Sequence, residues 1–232
     1  NDGIMAAIKD AFTQLPEGGG AVVIHGVGDH FSAGLDLSEL RERDATEGLV
    51  HSQMWHRVFD RVQYCRVPVI AALKGAVIGG GLELACAAHI RVAEPSAYFA
   101  LPEGQRGIFV GGGGSVRLPR LIGVALMADM MLTGRVYSAA EGAAHGFTQY
   151  LTEEGGAFDK AMAVAERVCA NAPLTNFAVL QALPMIAEAN PQTGLLMESL
   201  MATVAQSDKE AKKRIRAFLD HKTAKVKPAG AP

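Results

Sequence analysis

Over the first two-thirds of the chain, short unbroken apolar runs alternate with stretches of helical spacing, and glycine-rich junctions separate them. Ala21-Val22-Val23-Ile24-His25 has the pattern of a buried strand and leads into a loop over 26–31. Within 49–64, Met54, Val58 and Val62 recur at helical spacing, while His51, Arg57 and Arg61 fall elsewhere, which predicts an amphipathic helix. A second strand is expected over 67–73, with Pro68 at its start or at an edge, because proline has no N–H to give to a ladder. A helix over 79–88 follows, then strands over 89–93 and 97–100, then a turn at Leu101-Pro102-Glu103-Gly104. Alternation of this kind predicts an α/β layer fold.

Beyond Ser115 the rhythm changes and helices dominate, expected over 121–132, 138–145, 158–171, 174–189, 194–206 and 208–222. The division that follows is an α/β core over 1–190 and a helical C-terminal region with a tail over 191–232. No tandem repeat interrupts it.

Composition narrows the class. With 232 residues and 49% hydrophobic content, the chain can bury a substantial core in one large domain. Its longest mainly apolar stretches, such as 67–73 and 123–132, are much shorter than the roughly 20 residues of a membrane span, so the expectation is a soluble protein without a membrane partner. A net charge of -2 gives no general attraction to nucleic acid, although 209–227 is locally basic. Cys65, Cys86 and Cys169 are far apart among apolar residues and lack metal-ligand spacing, so buried, reduced thiols and no metal site are expected. An odd count without a secretory leader pattern predicts the cytoplasm.

Chemistry concentrates where Gly79-Gly80-Gly81 runs into Leu82-Glu83-Leu84-Ala85. Glycines allow another molecule close to the main chain, and the first N–H groups of a helix lack internal partners, so this junction can hold developing negative charge beside a carboxylate. Taken alone, Glu83 serves equally well as an acid placed to suit the helix dipole. Glu103 after Pro102 is likewise ordinary at a helix start. The run Gly111-Gly112-Gly113-Gly114-Ser115 reads as a close-approach loop or as a flexible start to a helix. Neither glycine-rich junction after a strand fits a nucleotide signature: no Gly-Lys-Ser/Thr ending is present, and the GxGxxG spacing is not met.

In combination these residues resemble the crotonase superfamily, also called the enoyl-CoA hydratase/isomerase superfamily, over most of the chain. Phe31-Ser32-Ala33-Gly34-Leu35-Asp36-Leu37 matches its F-x-A-G-x-D-L loop. Pro68-Val69-Ile70-Ala71-Ala72 with Gly75, Ala76 and the segment Gly79 to Ala85 matches its second signature. Phe99-Ala100-Leu101-Pro102-Glu103, Gly107, the 111–114 run, Leu132-Thr133-Gly134-Arg135, Ser138-Ala139 and Arg216-Ala217-Phe218 extend the likeness.

The resemblance implies a crotonase-like ββα spiral core, with a C-terminal helical region that packs in a homotrimer or a dimer of trimers. It implies an acyl-CoA thioester substrate and no cofactor besides the coenzyme A that the substrate carries. Backbone N–H groups of Ala33 and Gly80 would form the oxyanion hole. Glu83 and Glu103 fill the two acid positions of members that hydrate a trans-2-enoyl-CoA, Glu83 as base and Glu103 as proton donor. Ser32, Gly34, Leu35, Asp36, Leu37, Gly79, Gly111 and Phe218 would line the substrate and CoA site. A Δ3-Δ2 isomerase, or another acyl-CoA lyase or hydrolase on the same scaffold, is the alternative. A non-catalytic CoA- or RNA-binding trimer predicts lost glutamates or a broad basic face, and the chain has neither.

Two departures from the family stand out. The strand pair and N-R-P…N-A segment that usually precede residues like 1–12 are not in this sequence, and the resemblance then implies the loss of a contact to the CoA adenine. The usual Gly-x-x-Pro-Gly becomes Gly107-Ile108-Phe109-Val110-Gly111, which implies a different acyl pocket. His25, His51, Trp55 and His56 fall near the substrate-shaping region and are expected to pack or to face solvent.

Overall fold

The computed structural model describes residues 1–18, 20–36 and 44–220. Two compact units divide at Cys169 and Ala170, whereas the apolar pattern placed the boundary at 190/191. Leu37 and the tail from 221 onward lie outside the described residues.

The first unit is built on two sheets. In the larger, the strands β1 (Val22–His25), β2 (Val69–Leu73), β4 (Ile90–Ala93) and β7 (Tyr150–Leu151) run parallel in the order β1-β2-β4-β7. In the smaller, β3 (Ala76–Ile78) pairs in parallel with β5 (Tyr98–Ala100), and β5 pairs antiparallel with β6 (Tyr137–Ser138).

Strand β2 is buried along its whole length because both of its faces are covered. Val69, Ala71 and Leu73 join the main core with Val58, Phe59 and Val62 of α2 (Ala45–Gln63) and Leu82 and Ala85 of α3 (Gly80–Ala87). Ile70 and Ala72 point the other way, onto Ala157, Ala161, Val164 and Ala165 of α7 (Ala157–Cys169). Pro68 sits just outside β2, where its carbonyl still accepts from the Val22 N–H at 2.8 Å.

Most expected elements form, with informative differences. Helix α2 begins four residues before the expected start. Its first turn, Ala45-Thr46-Glu47-Gly48, carries no apolar stripe and is stabilised by a capping box instead. The Glu47 N–H donates to the Asp44 carboxylate at 2.8 Å, and the Asp44 N–H donates to Glu47 at 3.3 Å. Asp44→Ala removes that cap, and urea unfolding should show a loss of about 1 kcal/mol with an unchanged m-value.

The single helix expected over 121–132 is two, α4 (Gly114–Ile122) and α5 (Val124–Thr133), because Gly123 between them takes φ +83°. Strand β3 was hidden in the glycine-rich junction over 75–81. The thiols of Cys65 and Cys86 are buried as expected, but Cys169, at the end of α7, is exposed. Burial pushes the Cys86 thiol up to about 11 and raises that of Cys65, which keeps both unreactive.

The second unit is helical. It contains α8 (Pro173–Phe177), a π-helical turn (Ala178–Ala182), α9 (Leu183–Glu188), α10 (Pro191–Ser207) and α11 (Lys209–Leu219). Asn190 caps α10 and Asp208 caps α11, each through its side-chain oxygen. Among the described residues no helix is long and apolar enough to cross a membrane.

Candidate active site

Backbone pairing brings the two glycine-containing loops together. Ser32 forms a one-residue parallel bridge to Val77 of β3: its N–H donates to the Ala76 carbonyl at 2.9 Å, and its carbonyl accepts from the Ile78 N–H at 3.0 Å. One residue further along the first loop stands Ala33, and two residues beyond Ile78 stands Gly80, the first residue of α3. Register alone therefore places Ala33 beside Gly80.

Close packing holds that register. A Cβ on Gly34, whose φ is +93°, would lie 2.8 Å from the Ile78 carbonyl oxygen and 3.4 Å from the Gly80 nitrogen. A Cβ on Gly81 would lie 2.4 Å from the Ser32 carbonyl oxygen. Among the described residues neither the Ala33 nor the Gly80 N–H has a hydrogen-bond partner. Two unpaired main-chain donors border one cavity of about 530 Å³.

Glu83 and Glu103 border the same cavity. Glu83 comes from the first turn of α3, a helix whose residues from Gly81 to Ala87 are all buried. Its Oε1 accepts from the Gly112 N–H at 2.8 Å and from the Gly114 N–H at 2.7 Å. Glu103 comes from the turn after β5, and its Oε2 is buried without a hydrogen-bond partner. Gly79 takes φ +54°, where a side chain is strained, and a Cβ there would stand 2.8 Å from Glu103 Oε1 and push that carboxyl aside.

Burial raises both carboxyls above the ordinary glutamate range. For Glu83 the rise is opposed by the N–H groups of Gly114 and Gly112 and by the charges of Arg117 and His56. For Glu103 burial is reinforced by the negative charge of Glu83 and opposed by its own backbone N–H and by Arg106. The environments differ in kind: Glu83 is held by donors that favour its ionised form, and Glu103 has an orphaned oxygen that favours retention of a proton.

A base must be ionised and an acid protonated, so activity is lost as pH falls through the apparent pKa of the base and as it rises through that of the acid. The expected kcat–pH profile is bell-shaped, with an acid limb above the ordinary glutamate value; the two apparent values belong to the coupled pair. A flat profile down to the ordinary carboxylate range would contradict this assignment.

Of the residues expected at the site, Ala33, Gly34, Leu35, Gly79, Gly80, Glu83, Glu103 and Gly111 all border the cavity. Ser32 lies behind it as the bridge to β3, with its hydroxyl accepting from the Gly34 N–H at 3.3 Å. Asp36 is exposed and does not border the cavity. Phe218 is exposed on α11 of the second unit.

Trp55, expected to pack or to face solvent, packs edge-on against Phe59 and also borders the cavity. Its ring lies 2.6 Å from where a Cβ on Gly80 would stand. Gly112 and Gly114 were not singled out as donors to Glu83, although four consecutive glycines were the visible signal. His51, Ser52 and Arg106 also border the cavity, and the Ser52 hydroxyl donates to the Gly111 carbonyl at 2.6 Å.

Comparison with known proteins gives concordant results. The family described as enoyl-CoA hydratase/isomerase matches residues 1–228. A short-chain-enoyl-CoA hydratase of Clostridium acetobutylicum is 32% identical over 201 residues, 86% of this chain and 77% of that protein. A Rhodopseudomonas palustris CGA009 structure provisionally assigned as an enoyl-CoA hydratase superposes with a TM-score of 0.93 at 85% identity, covering 97% of this chain and 88% of the other. The enoyl-CoA hydratase of Bacillus anthracis superposes at 0.89 and 29% identity, over 95% and 87% of the two chains.

Proposed function

Because the chain belongs to the enoyl-CoA hydratase/isomerase family and has its α/β crotonase fold, we propose that it hydrates trans-2-enoyl-CoA thioesters reversibly. The observation that carries this reading is that two unpaired backbone donors, Ala33 and Gly80, border the same cavity as two carboxyls in contrasting environments, Glu83 and Glu103.

The thioester carbonyl oxygen accepts from the Ala33 and Gly80 N–H groups. Glu83, ionised, takes a proton from a water molecule as that water's oxygen bonds to Cβ. The electron pair of the double bond moves toward the carbonyl, and the developing enolate charge falls on the oxygen held by the two donors. Glu103, protonated, gives its proton to Cα. The sum is one water added across the double bond, and proton return from Glu83 to Glu103 resets the pair. The scheme needs no cofactor beyond the coenzyme A carried by the substrate.

Two acids at one cavity support hydration over Δ3-Δ2 isomerisation, which needs one group to move a proton between carbons. Three free cysteines suit a reducing compartment such as the cytoplasm. Exposed Leu195, Leu196 and Leu200 on α10 suit burial against further copies in a trimer or dimer of trimers.

The direct test follows the enone absorbance of a series of 2-enoyl-CoAs of increasing chain length. Absorbance lost to a 3-hydroxyacyl-CoA supports the reading. Conversion of 3-enoyl-CoA with no consumption of any 2-enoyl-CoA replaces it with isomerisation.

A further inference from the structure

Apart from the four groups assigned to the chemistry, the charge most tightly tied to the site is Arg117. It lies in α4, only 7% exposed, and its guanidinium is engaged in three directions. Nη1 donates to the Gly112 carbonyl at 2.9 Å, Nη2 donates to the Asp60 carboxylate at 2.6 Å, and Nε donates to the side-chain oxygen of Gln63. Asp60 and Gln63 both belong to the last turn of α2. One cation thereby ties α2 to the glycine loop that precedes α4.

Gly112 is consequently gripped at both ends of the residue. Its N–H donates to Glu83, and its carbonyl accepts from Arg117. Gly113 takes φ +96° in between, and a Cβ there would lie 2.3 Å from Arg117 Nη1, so the loop closes directly over the guanidinium. The next N–H, from Gly114, returns to Glu83. A buried ion pair is weak support for stability in itself, since well-packed apolar residues often do as well. A guanidinium fork in this place orients peptide groups, which apolar packing does not do.

From this geometry we infer that Arg117 is the positioning residue for Glu83: anchored to α2 through Asp60 and Gln63, it fixes the Gly112–Gly114 bracket that aims the carboxylate, and it supplies a neighbouring positive charge. The inference rests on the hydratase reading for its kinetic consequence, but not for its effect on Glu83 itself. The charged and titratable groups that bear on Glu83 are Arg117 from α4, His56 from α2, Glu103 from the turn after β5 and Cys86 on its own helix. Arg106 acts on Glu103, and Asp60 faces Arg117 rather than Glu83, at 2.6 Å from its Nη2.

Charge and geometry separate in two variants. Arg117→Gln removes the charge, and the Glu83 titration, followed by NMR with 13C-labelled glutamate, should move to higher pH together with the acid limb of the kcat profile. Arg117→Lys keeps the charge but cannot form the three-way fork. It should leave that titration near its original position, yet lower kcat roughly 10–10²-fold at little change in KM, the scale of a misaimed group. Built on Glu83→Gln, the lysine variant should cost almost nothing further, because the group it positions is already lost.

An unmoved Glu83 titration in the glutamine variant, or an undiminished loss of rate when Arg117→Lys is added to Glu83→Gln, overturns the inference. If Arg117→Gln does not fold, the lysine pair decides alone. Wild-type protein that hydrates no enoyl-CoA contradicts the hydratase reading instead, and the Glu83 titration then still decides the role of Arg117.

Discussion

Glu83→Gln is expected to lower kcat for hydration by roughly 10²–10⁴-fold while leaving the melting temperature of the protein essentially unchanged. The two effects separate because of how the carboxylate is held. One oxygen, Oε1, accepts both the Gly112 and Gly114 N–H groups, and an amide oxygen can accept the same pair. The fold around α3 therefore keeps its hydrogen bonds. What disappears is the ability to take a proton from water, since an amide is not a base at any working pH.

Glu103→Gln is expected to cost a comparable factor for a different reason. Its buried Oε2 has no partner, and in the proposed mechanism it carries the proton delivered to Cα. The amide fills the space but releases no proton. Hydration measured by enone absorbance at near-wild-type rates in either variant would remove that residue from the chemistry.

Gly34→Ala is expected to reduce kcat/KM by roughly 10²–10³-fold, about the loss of one oxyanion donor. Side-chain replacement cannot delete a backbone N–H, so the donor has to be displaced. At φ +93° an alanine is strained before any contact is considered, and its Cβ would stand 2.8 Å from the Ile78 carbonyl oxygen. That carbonyl belongs to the residue closing β3 and cannot swing aside as a flexible side chain would. Relief comes only if the Ala33–Gly34 segment lifts away from β3, which takes the Ala33 N–H with it. Retained kcat/KM in a folded Gly34→Ala protein would show that Ala33 is not a donor. An unfolded protein would be distinguished by its circular dichroism, and Gly107, with φ +70° and nothing near its missing Cβ, supplies the control for strain alone.

How far these groups were legible in the sequence depended on the range of the interactions that define them. The glycine run into Glu83 is local, and a helix start with an acid in its first turn is visible in the chain itself, whereas the burial of that acid is not. Strands β1 and β2 announced themselves as apolar runs because both faces of the larger sheet are covered in the first unit. Strand β3 did not, since three residues between Gly75 and Gly79 carry too little pattern to separate a strand from a loop. Its role emerges only when Ser32 pairs with Val77 across an intervening 44 residues.

The same holds for the surroundings of Glu83. Nothing in the spacing of Gly112, Gly114 and Arg117 says that they converge on a carboxylate about 30 positions earlier. Trp55 reads from the sequence as a packing or surface residue, and only the packing of α2 against α3 sets its ring against Gly80. Conversely, Cys169 read as buried from its apolar neighbours, but a residue near the end of an amphipathic helix can fall on the solvent side, as it does here. Asp36 matched a family motif without joining the cavity, whereas Gly111, in a run that composition left ambiguous, does border it.

In the proposed mechanism Glu83 and Glu103 add the elements of water across one double bond above a shared oxyanion site. Incubation of the protein with trans-2-enoyl-CoA in deuterated, 18O-enriched water, followed by mass spectrometry and NMR of the product, tests it most directly. The predicted result is a 3-hydroxyacyl-CoA carrying one 18O at Cβ and one deuterium at Cα, formed at a rate that collapses in both Glu83→Gln and Glu103→Gln. Deuterium appearing in recovered alkene at the γ carbon with no 18O in any product, or full hydration surviving both substitutions, would contradict it.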